Sequence, residues 1–390
     1  MQQLAQRATT LTPSLTLAID AKAKKLKADG VDVCGFGAGE PDFDTPQYIK
    51  DAAVQALAAG FTKYTPSSGI PELRAAIAEK LKNDNDLDYK PSQIIVNCGA
   101  KHSCYNVILA TCQAGDEVII PAPYWLSYPE MVKLADASPV IVETKEANSF
   151  KITPDQFRDA MTPATKLIIL NSPGNPTGSV YSREELQALA EVALEEDILM
   201  LSDEIYEKIA YDNVEVVSLA SLGKEIYDLT ITVNGFSKAY AMTGWRLGYV
   251  AAPEHIALAI DSIQSHSTSN PTSFAQKGAL AGLKGDQSFI GEMVKAFAER
   301  RTYMYDRLTK IPGVTCVKPM GAFYMLPNVS TCGLSSTAFC TKLLDEQKVA
   351  VVPGVAFGSD AHVRLSYACS MENIQKGLDR IEAFCKSLGK

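Results

Sequence analysis

The feature that most constrains the fold is a regular alternation between short apolar runs and amphipathic stretches in the middle of the chain. The apolar runs cover residues 94–97, 117–120, 140–143, 167–171, 199–203 and 229–233. Helical patterns such as Arg183 to Glu195 lie between several of them. Alternation at this spacing predicts an α/β fold, in which a mostly parallel sheet is covered by helices on both faces.

Three of the predicted strands end in polar residues that a strand does not itself require. Gly99 and Ala100 begin a helix directly after the first run, so free backbone N–H groups there could hold a phosphate. Asn175 follows the fourth run, in NSPGNPTG, and Asp203 and Tyr206 lie in SDEIY after the fifth. Open α/β sheets bind ligands at the carboxyl ends of their strands, which predicts a shared site. Turn chemistry and helix capping remain alternatives for Asn175 and Asp203.

Two cationic residues indicate the chemistry of that site. Lys238 follows the last run, and Arg246 comes eight residues later in NGFSKAYAMTGWRLGY. A lysine at a strand end near an arginine suits an aldehyde cofactor that also carries a phosphate, so we interpret Lys238 as a Schiff-base nucleophile. A third cation, Arg364, lies inside the apolar run HVRLSYA, where its guanidinium requires an anion. That anion could be a substrate carboxylate or an internal salt-bridge partner.

Composition and charge exclude several other functions. The net charge of −8 and the pI of about 5.2 argue against nucleic-acid binding, and no apolar stretch is long enough to cross a membrane. The N-terminus lacks the apolar core of a secretion signal, and nine cysteines without a CxxC pair are typical of reduced thiols. We therefore expect a cytoplasmic protein. Four scattered histidines without an HExxH motif predict no metal site.

The segment GFGAGEPDFDTP, from Gly35 to Pro46, contains a G-x-G-x-G pattern that could indicate a dinucleotide loop. That interpretation requires a helix that begins at the last glycine, whereas Pro41 and Pro46 predict turns. An NAD-linked oxidoreductase is therefore disfavoured. The remaining alternatives are a backbone contact from Gly39 to a ligand, or a plain turn before a helix that starts near Pro46.

Taken together, these motifs resemble the class I pyridoxal-phosphate-dependent aminotransferases. The resemblance extends from about Thr12 to the C-terminus, and its motifs occur in the family's order: GEPDFDTP, Y-x-P, GAK, NPTG, SDEIY, SK with Arg246, and Arg364. It implies fold type I, with a seven-stranded, mostly parallel sheet in a large domain (residues 48–295). A smaller α/β domain with an N-terminal arm would comprise residues 1–47 and 296–390. Within the family, the sequence is most similar to bacterial aspartate and aspartate–prephenate aminotransferases.

The resemblance also implies site residues. Those expected to act in catalysis are Lys238, Asp203 and Tyr206. Those expected to hold pyridoxal 5′-phosphate are Tyr64 from the neighbouring subunit, Gly99, Ala100, Lys101, Trp125, Asn175, Asp203, Tyr206, Ser237, Lys238 and Arg246. Those expected to contact the substrate are Thr16, Gly39, Lys101, Trp125, Asn175 and Arg364. The Ala122–Pro123 and Asn175–Pro176 bonds are candidates for the cis form.

The implied activity is transfer of an amino group from an L-amino acid, with aspartate preferred, to a 2-oxo acid such as 2-oxoglutarate. The implied assembly is a homodimer with shared active sites. Aromatic or prephenate amination and a lyase reaction with the same cofactor remain alternatives, whereas a DNA-binding regulator would need a further domain. Two positions depart from relatives: Gly235 replaces a serine, and Thr12 replaces a lysine of prephenate-using members. The polar stretch Gln264 to Gln276, predicted to be a loop, lacks the arginine that some dicarboxylate-specific members carry there.

Overall fold

The computed structural model describes residues 4–11 and 15–388, in which helices and strands are joined by turns and irregular segments. The strands are β1 (Cys34–Gly35), β2 (Ile94–Asn97), β3 (Glu117–Ala122), β4 (Ser138–Glu143), β5 (Thr165–Asn171), β6 (Leu199–Asp203), β7 (Thr230–Gly235), β8 (Gly248–Ala251), β9 (Tyr324–Met325), β10 (Val349–Ala350), β11 (Val352–Pro353) and β12 (Val363–Ser366). The helices are α1 (Gln6–Thr9), α2 (Leu15–Ala28), α3 (Gln47–Ala58), α4 (Pro71–Asn85), α5 (Ala100–Thr111), α6 (Ser127–Leu134), α7 (Pro154–Ala160), α8 (Arg183–Glu195), α9 (Lys224–Leu229), α10 (Glu254–Ser267), α11 (Ser273–Lys284), α12 (Ser288–Leu308), α13 (Ser336–Gln347) and α14 (Met371–Ser387).

The largest sheet has seven strands in the order β2-β8-β7-β6-β5-β3-β4. Strand β8 is antiparallel to both of its neighbours, and the remaining pairs are parallel. This confirms the predicted α/β fold with a mostly parallel sheet. All six apolar runs become strands, although Leu229 ends helix α9 instead of starting β7.

The apolar runs are continuous because the sheet is buried on both faces. Along β5, Leu167 and Ile169 pack into one core cluster, whereas Ile168 and Leu170 pack into another on the opposite face. Successive strand residues point to opposite faces, so a strand covered on both sides needs an apolar residue at every position. Helix α8 begins where the sequence predicts, because Ser182 and Glu185 form a capping box there.

The remaining strands form a two-stranded sheet (β1-β10) and a three-stranded sheet (β11-β12-β9). A core cluster beside them includes Phe36 from near the start of the chain and Leu378 from α14. The same cluster contains Ile205 and Tyr206, which follow strand β6 of the large sheet. The division into domains of residues 48–295 and residues 1–47 with 296–390 stays a prediction.

The prediction of a loop from Gln264 to Gln276 is wrong. Helix α10 continues to Ser267 and α11 begins at Ser273, which leaves residues 268–272 as the connection. Both glutamines are fully buried, and their amides bind backbone groups in β2 and in the segment before α4: Gln264 Nε2 donates to the Val96 carbonyl at 2.7 Å, and Gln276 Oε1 accepts from the Ile70 N–H at 2.8 Å. These tertiary hydrogen bonds allow polar side chains inside packed helices.

No helix in the described ranges, 4–11 and 15–388, has the length and apolar character needed to span a bilayer.

Candidate active site

Chain segments that follow four strands of the large sheet supply the predicted site. Asn175 lies beyond β5, Asp203 ends β6, Lys238 follows β7, and helix α5 begins just after β2. In the register of the sheet, Asn171 pairs with Asp203, and the Asn171 Nδ2 donates to the Asp203 carbonyl at 2.9 Å. Parallel strands present their carboxyl ends at one edge of a sheet, so residues far apart in sequence are brought together there.

Lys238 lies in an apolar environment with few anionic neighbours. Its Nζ donates a hydrogen bond to the Gly39 carbonyl and lies 5.6 Å and 5.7 Å from the ring centroids of Tyr206 and Phe323. Burial, followed by repulsion from the Arg364 guanidinium, lowers the pKa of Lys238 to about 8. A lysine with this pKa is partly neutral near physiological pH and can act as a nucleophile or base.

Asp203 is a buried carboxylate, 3% exposed. The Tyr128 hydroxyl donates to its Oδ2 at 2.6 Å, and the Ile205 N–H donates to its Oδ1 at 3.2 Å. Burial raises the pKa of Asp203, and these hydrogen bonds oppose that rise. A carboxylate held in this way could accept a hydrogen bond from a protonated ring nitrogen.

Arg364 is a buried cation with no counter-ion among the described residues. Its guanidinium donates to Asn175 Oδ1 at 3.1 Å and to the Gly37 carbonyl at 2.9 Å, and it lies 4.5 Å from the ring centroid of Tyr324. Its Nε has no hydrogen-bond partner, and burial lowers its pKa. No carboxylate of the described residues lies within 4.0 Å, so the internal salt bridge considered as an alternative is not formed.

A second cationic position lies at the start of helix α5. Gly99, with φ of 94°, is the residue before the helix, and a Cβ atom added to it would lie 2.5 Å from Arg246 Nη2. Arg246 donates to the Thr243 carbonyl at 2.8 Å and forms no ion pair with the described carboxylates. The guanidinium and the N-terminus of α5 with Ala100 thus converge, and both favour an anion.

Lys101 and Ser237 lie on these same segments, and Trp125 lies on the segment that follows β3. Lys101 Nζ is 4.9 Å from the ring centroid of Trp125, and burial lowers the pKa of this lysine. Trp125 packs edge-on against Tyr128. Ser237 is buried next to Lys238 in the chain. The Ala122–Pro123 and Asn175–Pro176 bonds are cis, as predicted, and Ser172–Pro173 is a further cis bond that the sequence analysis missed.

Steric crowding explains why position 235 is a glycine here and not the serine of some relatives. Gly235 pairs with Gly248 across β7 and β8, and a Cβ atom at position 235 would lie 2.8 Å from the Gly248 Cα. A serine at this position would therefore require the two strands to separate.

Among the described site residues, Tyr64 has no contact with this cluster. Tyr64 is 90% exposed and forms no hydrogen bond to the residues above. The side chain of Thr16 and residue Thr12 lie outside the described residues.

The donor set could hold an anionic aldehyde cofactor and a carboxylate substrate. It offers a lysine nucleophile, a buried carboxylate, an arginine beside a helix N-terminus, and the unpaired Nε of Arg364. No cluster of three or more metal-ligating side chains occurs among the residues that the structure describes.

Sequence reasoning missed two tyrosines that contact predicted site residues. Tyr128 binds Asp203, and Tyr324 shares a hydrogen bond of 2.8 Å with the Tyr206 hydroxyl. Tyr128 lies three residues after Trp125, which places it on the next turn of the chain as α6 begins, and this was the only available signal. Tyr324 comes from β9 and carries no local signal.

Comparisons with known proteins agree with this geometry. Residues 31–381 match the family model described as "Aminotransferase class I and II". The chain is 54% identical over 387 residues to the aspartate aminotransferase of Bacillus subtilis (strain 168), with 98% of each chain covered. It is 50% identical to a probable aspartate/prephenate aminotransferase of Aquifex aeolicus (strain VF5), covering 97% of this chain and 98% of that one.

Among solved structures, the aspartate aminotransferase from Thermus thermophilus with maleate has a TM-score of 0.95 and 44% identity to this chain. The alignment covers 98% of this chain and 100% of that one. The chain therefore belongs to the class I and II aminotransferase family and is an enzyme that catalyses transamination.

Proposed function

We propose that the protein is a pyridoxal 5′-phosphate-dependent aspartate aminotransferase, with 2-oxoglutarate or a similar 2-oxo acid as the amino acceptor. The observation that carries this proposal is the buried guanidinium of Arg364, which has no carboxylate partner among the described residues and whose Nε has no hydrogen-bond partner. Leaving a buried cation unpaired costs several kcal/mol, so the site is arranged for an anion that arrives with the substrate. The planar carboxylate of an amino acid matches the geometry of an arginine.

The described residues fit this cofactor. The Gly99 N–H donates to the Asn97 carbonyl at 2.7 Å, so Arg246 and the backbone N–H groups of Ala100 and Lys101 would hold the phosphate. Asp203 would accept a hydrogen bond from the ring nitrogen. When bound, the cofactor supplies a reactive aldehyde and an electron sink for a carbanion. Asn175 uses its Oδ1 to accept from Arg364, so its Nδ2 remains as a donor for the phenolic oxygen, alongside the Tyr206 hydroxyl.

The proton transfer is assigned to Lys238. Arg364 would fix the substrate carboxylate and thereby direct the Cα–H bond towards the Lys238 amine. Burial keeps part of this lysine neutral, so its amine can remove the proton from Cα and return it to the reacting carbon of the cofactor. A positioned proton transfer of this kind is worth ~10²–10⁴-fold in rate. The second substrate would react after the first product leaves, in ping-pong order.

Mutation of Lys238 tests the assignment. Lys238→Ala should lose multiple turnover of aspartate with 2-oxoglutarate, because no other described residue of the site supplies both nucleophile and base. Lys224→Ala, which removes a highly exposed lysine, is the control and should retain wild-type activity. Peptide mass spectrometry after borohydride reduction should find the cofactor on Lys238 in the wild type. Normal turnover by Lys238→Ala would refute the assignment.

A half-reaction separates transamination from a lyase reaction. With aspartate alone, the holoenzyme should form one equivalent of oxaloacetate and convert its cofactor to the amine form. Release of carbon dioxide or ammonia in place of oxaloacetate would indicate a lyase. A panel of aspartate, phenylalanine, tyrosine and prephenate would then rank the substrates, since several relatives are named aspartate/prephenate aminotransferases.

We infer a homodimer with shared active sites. The support is the 90% exposure of Tyr64, a large aromatic residue in a groove with the connection between α10 and α11. If Tyr64 completes the partner's site, mixing Tyr64→Ala with Lys238→Ala protein should restore some activity, because a hybrid dimer has one intact site. If hybrids form and stay inactive, each site is built within one chain.

The cytoplasm is the proposed location. Its support is that all nine cysteines are free thiols, which suits a reducing compartment. Cell fractionation with an antibody to the protein would test this.

A further inference from the structure

Asp203 occupies a place where its charged form is disfavoured. It is 3% exposed, and no lysine or arginine of the described residues forms an ion pair with it. Burial is the largest influence on its pKa and raises it. A protonated carboxyl would cease to be a pure acceptor for a ring N–H, so the site needs a device that keeps this group ionised and fixed.

Two buried donors approach one oxygen of this carboxylate. The Tyr128 hydroxyl lies 2.6 Å from Asp203 Oδ2, a distance typical of a hydroxyl that donates to a charged oxygen. The Cys104 Sγ lies 3.8 Å from the same oxygen and is a longer, weaker donor. On the other oxygen, Oδ1, the Ile205 N–H donates at 3.2 Å.

The surroundings hold Tyr128 in the donor state and in one orientation. It is 2% exposed, and its ring packs edge-on against Trp125 with a centroid distance of 5.2 Å. Burial and the nearby Asp203 charge keep the pKa of the Tyr128 phenol well above its usual range. The Cys104 thiol is likewise kept protonated. The other titratable groups that act on these residues are Lys101, which acts on Cys104, Tyr206, which acts on Tyr128, and Lys238, which acts on Asp203.

We propose that Tyr128 is a positioning residue that holds Asp203 ionised and oriented towards the cofactor ring nitrogen, with Cys104 as a weaker second donor. The proposal rests on the proposed function. It also assigns the same role to α5 and α6, because each helix supplies a donor to Asp203. Helix α5 begins at Ala100, beside Arg246, and carries Cys104, whereas α6 follows Trp125 and carries Tyr128. Each helix therefore carries a donor to the Asp203 carboxylate, which would face the ring nitrogen of the cofactor.

The test compares cofactor affinity in Tyr128→Phe and Cys104→Ala with the wild type, by titrating cofactor-free protein with pyridoxal 5′-phosphate and following tryptophan fluorescence. Tyr128→Phe keeps the ring and removes only the hydroxyl, so the fold should persist. Loss of a hydrogen bond to a charged group should raise Kd by ~10-fold to ~100-fold. Cys104→Ala should change Kd by less than about threefold, because its thiol is a weak donor.

A second readout follows the charge of Asp203. Without the Tyr128 hydroxyl the pKa of Asp203 rises further, so activity should be lost at a higher pH as the solution is acidified. The acid limb of kcat for aspartate should therefore move upward in Tyr128→Phe. A purely structural role for Tyr128 would lower thermal stability without moving this limb.

A double-mutant cycle isolates the coupling to Asp203. In an Asp203→Ala background, Tyr128→Phe should have no further effect on Kd, because the carboxylate through which it acts is gone. An unchanged Kd in the single Tyr128→Phe variant, or an equal loss in both backgrounds, overturns the proposal. Failure of the wild type to bind the cofactor at all would instead refute the proposed function, and the inference with it.

Discussion

The strictest test of the phosphate site is Gly99→Ala, because two independent features of the structure oppose any side chain there. The backbone at Gly99 has φ of 94° and ψ of 156°, a conformation that is essentially restricted to glycine. The added Cβ would also lie 2.5 Å from Arg246 Nη2 and 3.0 Å from its Cζ. The substitution must therefore strain the backbone, displace the arginine, or both.

The expected magnitude follows from these two effects. Backbone strain costs ~1–3 kcal/mol and should lower the unfolding temperature of the cofactor-free protein. Moving Arg246 away to restore normal contact weakens charge-assisted hydrogen bonds to the phosphate that are worth ~1.5–3 kcal/mol. Since ~1.4 kcal/mol corresponds to a tenfold change, Kd for pyridoxal 5′-phosphate should rise ~10-fold to ~100-fold.

The matched control is Gly244→Ala, two residues before Arg246. A Cβ atom at Gly244 meets nothing within 4 Å, so this variant should bind the cofactor as the wild type does. Cofactor affinity is measured by fluorescence titration of the cofactor-free proteins, and stability by differential scanning calorimetry. If Gly99→Ala binds the cofactor within twofold of the wild type, the phosphate does not lie between Arg246 and the start of α5.

Three further predictions concern lysines. If Lys101 binds the distal carboxylate, Lys101→Ala should lower kcat/KM for aspartate by ~10²-fold and leave kcat/KM for phenylalanine nearly unchanged. Equal losses of kcat/KM for both substrates would assign this lysine to the cofactor. Lys80→Ala should cost ~3 kcal/mol in chemical denaturation, because it leaves the Glu207 carboxylate, 9% exposed, without its ion-pair partner. The exposed Lys82 on the same helix is the control, and Lys82→Ala should cost less than ~1 kcal/mol. In cofactor-free protein, the rate of acylation of Lys238 should rise with pH and follow an apparent pKa of about 8, below the ~10.4 of an exposed lysine. A pH–rate profile like that of an exposed lysine would contradict the burial of the Lys238 amine.

The lowered pKa of Lys238 also predicts how the stability of the cofactor-free protein changes with pH. The folded state binds this proton less tightly than the unfolded chain does, so the charged lysine destabilises the cofactor-free protein below about pH 8. That destabilisation should be relieved as the pH rises from about 8 towards the unfolded value of ~10.4. In Lys238→Met this part of the pH dependence should disappear from calorimetric scans.

The strands were predictable because a sheet buried on both faces leaves an unmistakable pattern. A run such as LIIL in β5 has no polar position for either face, and the residue that ends the run must meet solvent or a ligand. Asn175, Asp203 and Lys238 stood out for this reason. Local patterns failed where tertiary partners compensate for polarity, as Gln264 and Gln276 show: their buried amides bind backbone groups distant in sequence.

The sequence by itself determined the succession of strands and helices along the chain, because that depends on local periodicity. It also determined the edge of the sheet where the site forms and the residue types available there, because these depend on where each strand ends. Only the tertiary structure decided which groups act on one another. Three findings depend on distances across the fold: Tyr128 donates to Asp203, Arg364 is buried with no counter-ion among the described residues, and Gly235 must lack a side chain opposite Gly248. Desolvation and hydrogen bonding vary over a few ångströms, and sequence spacing contains no information at that scale.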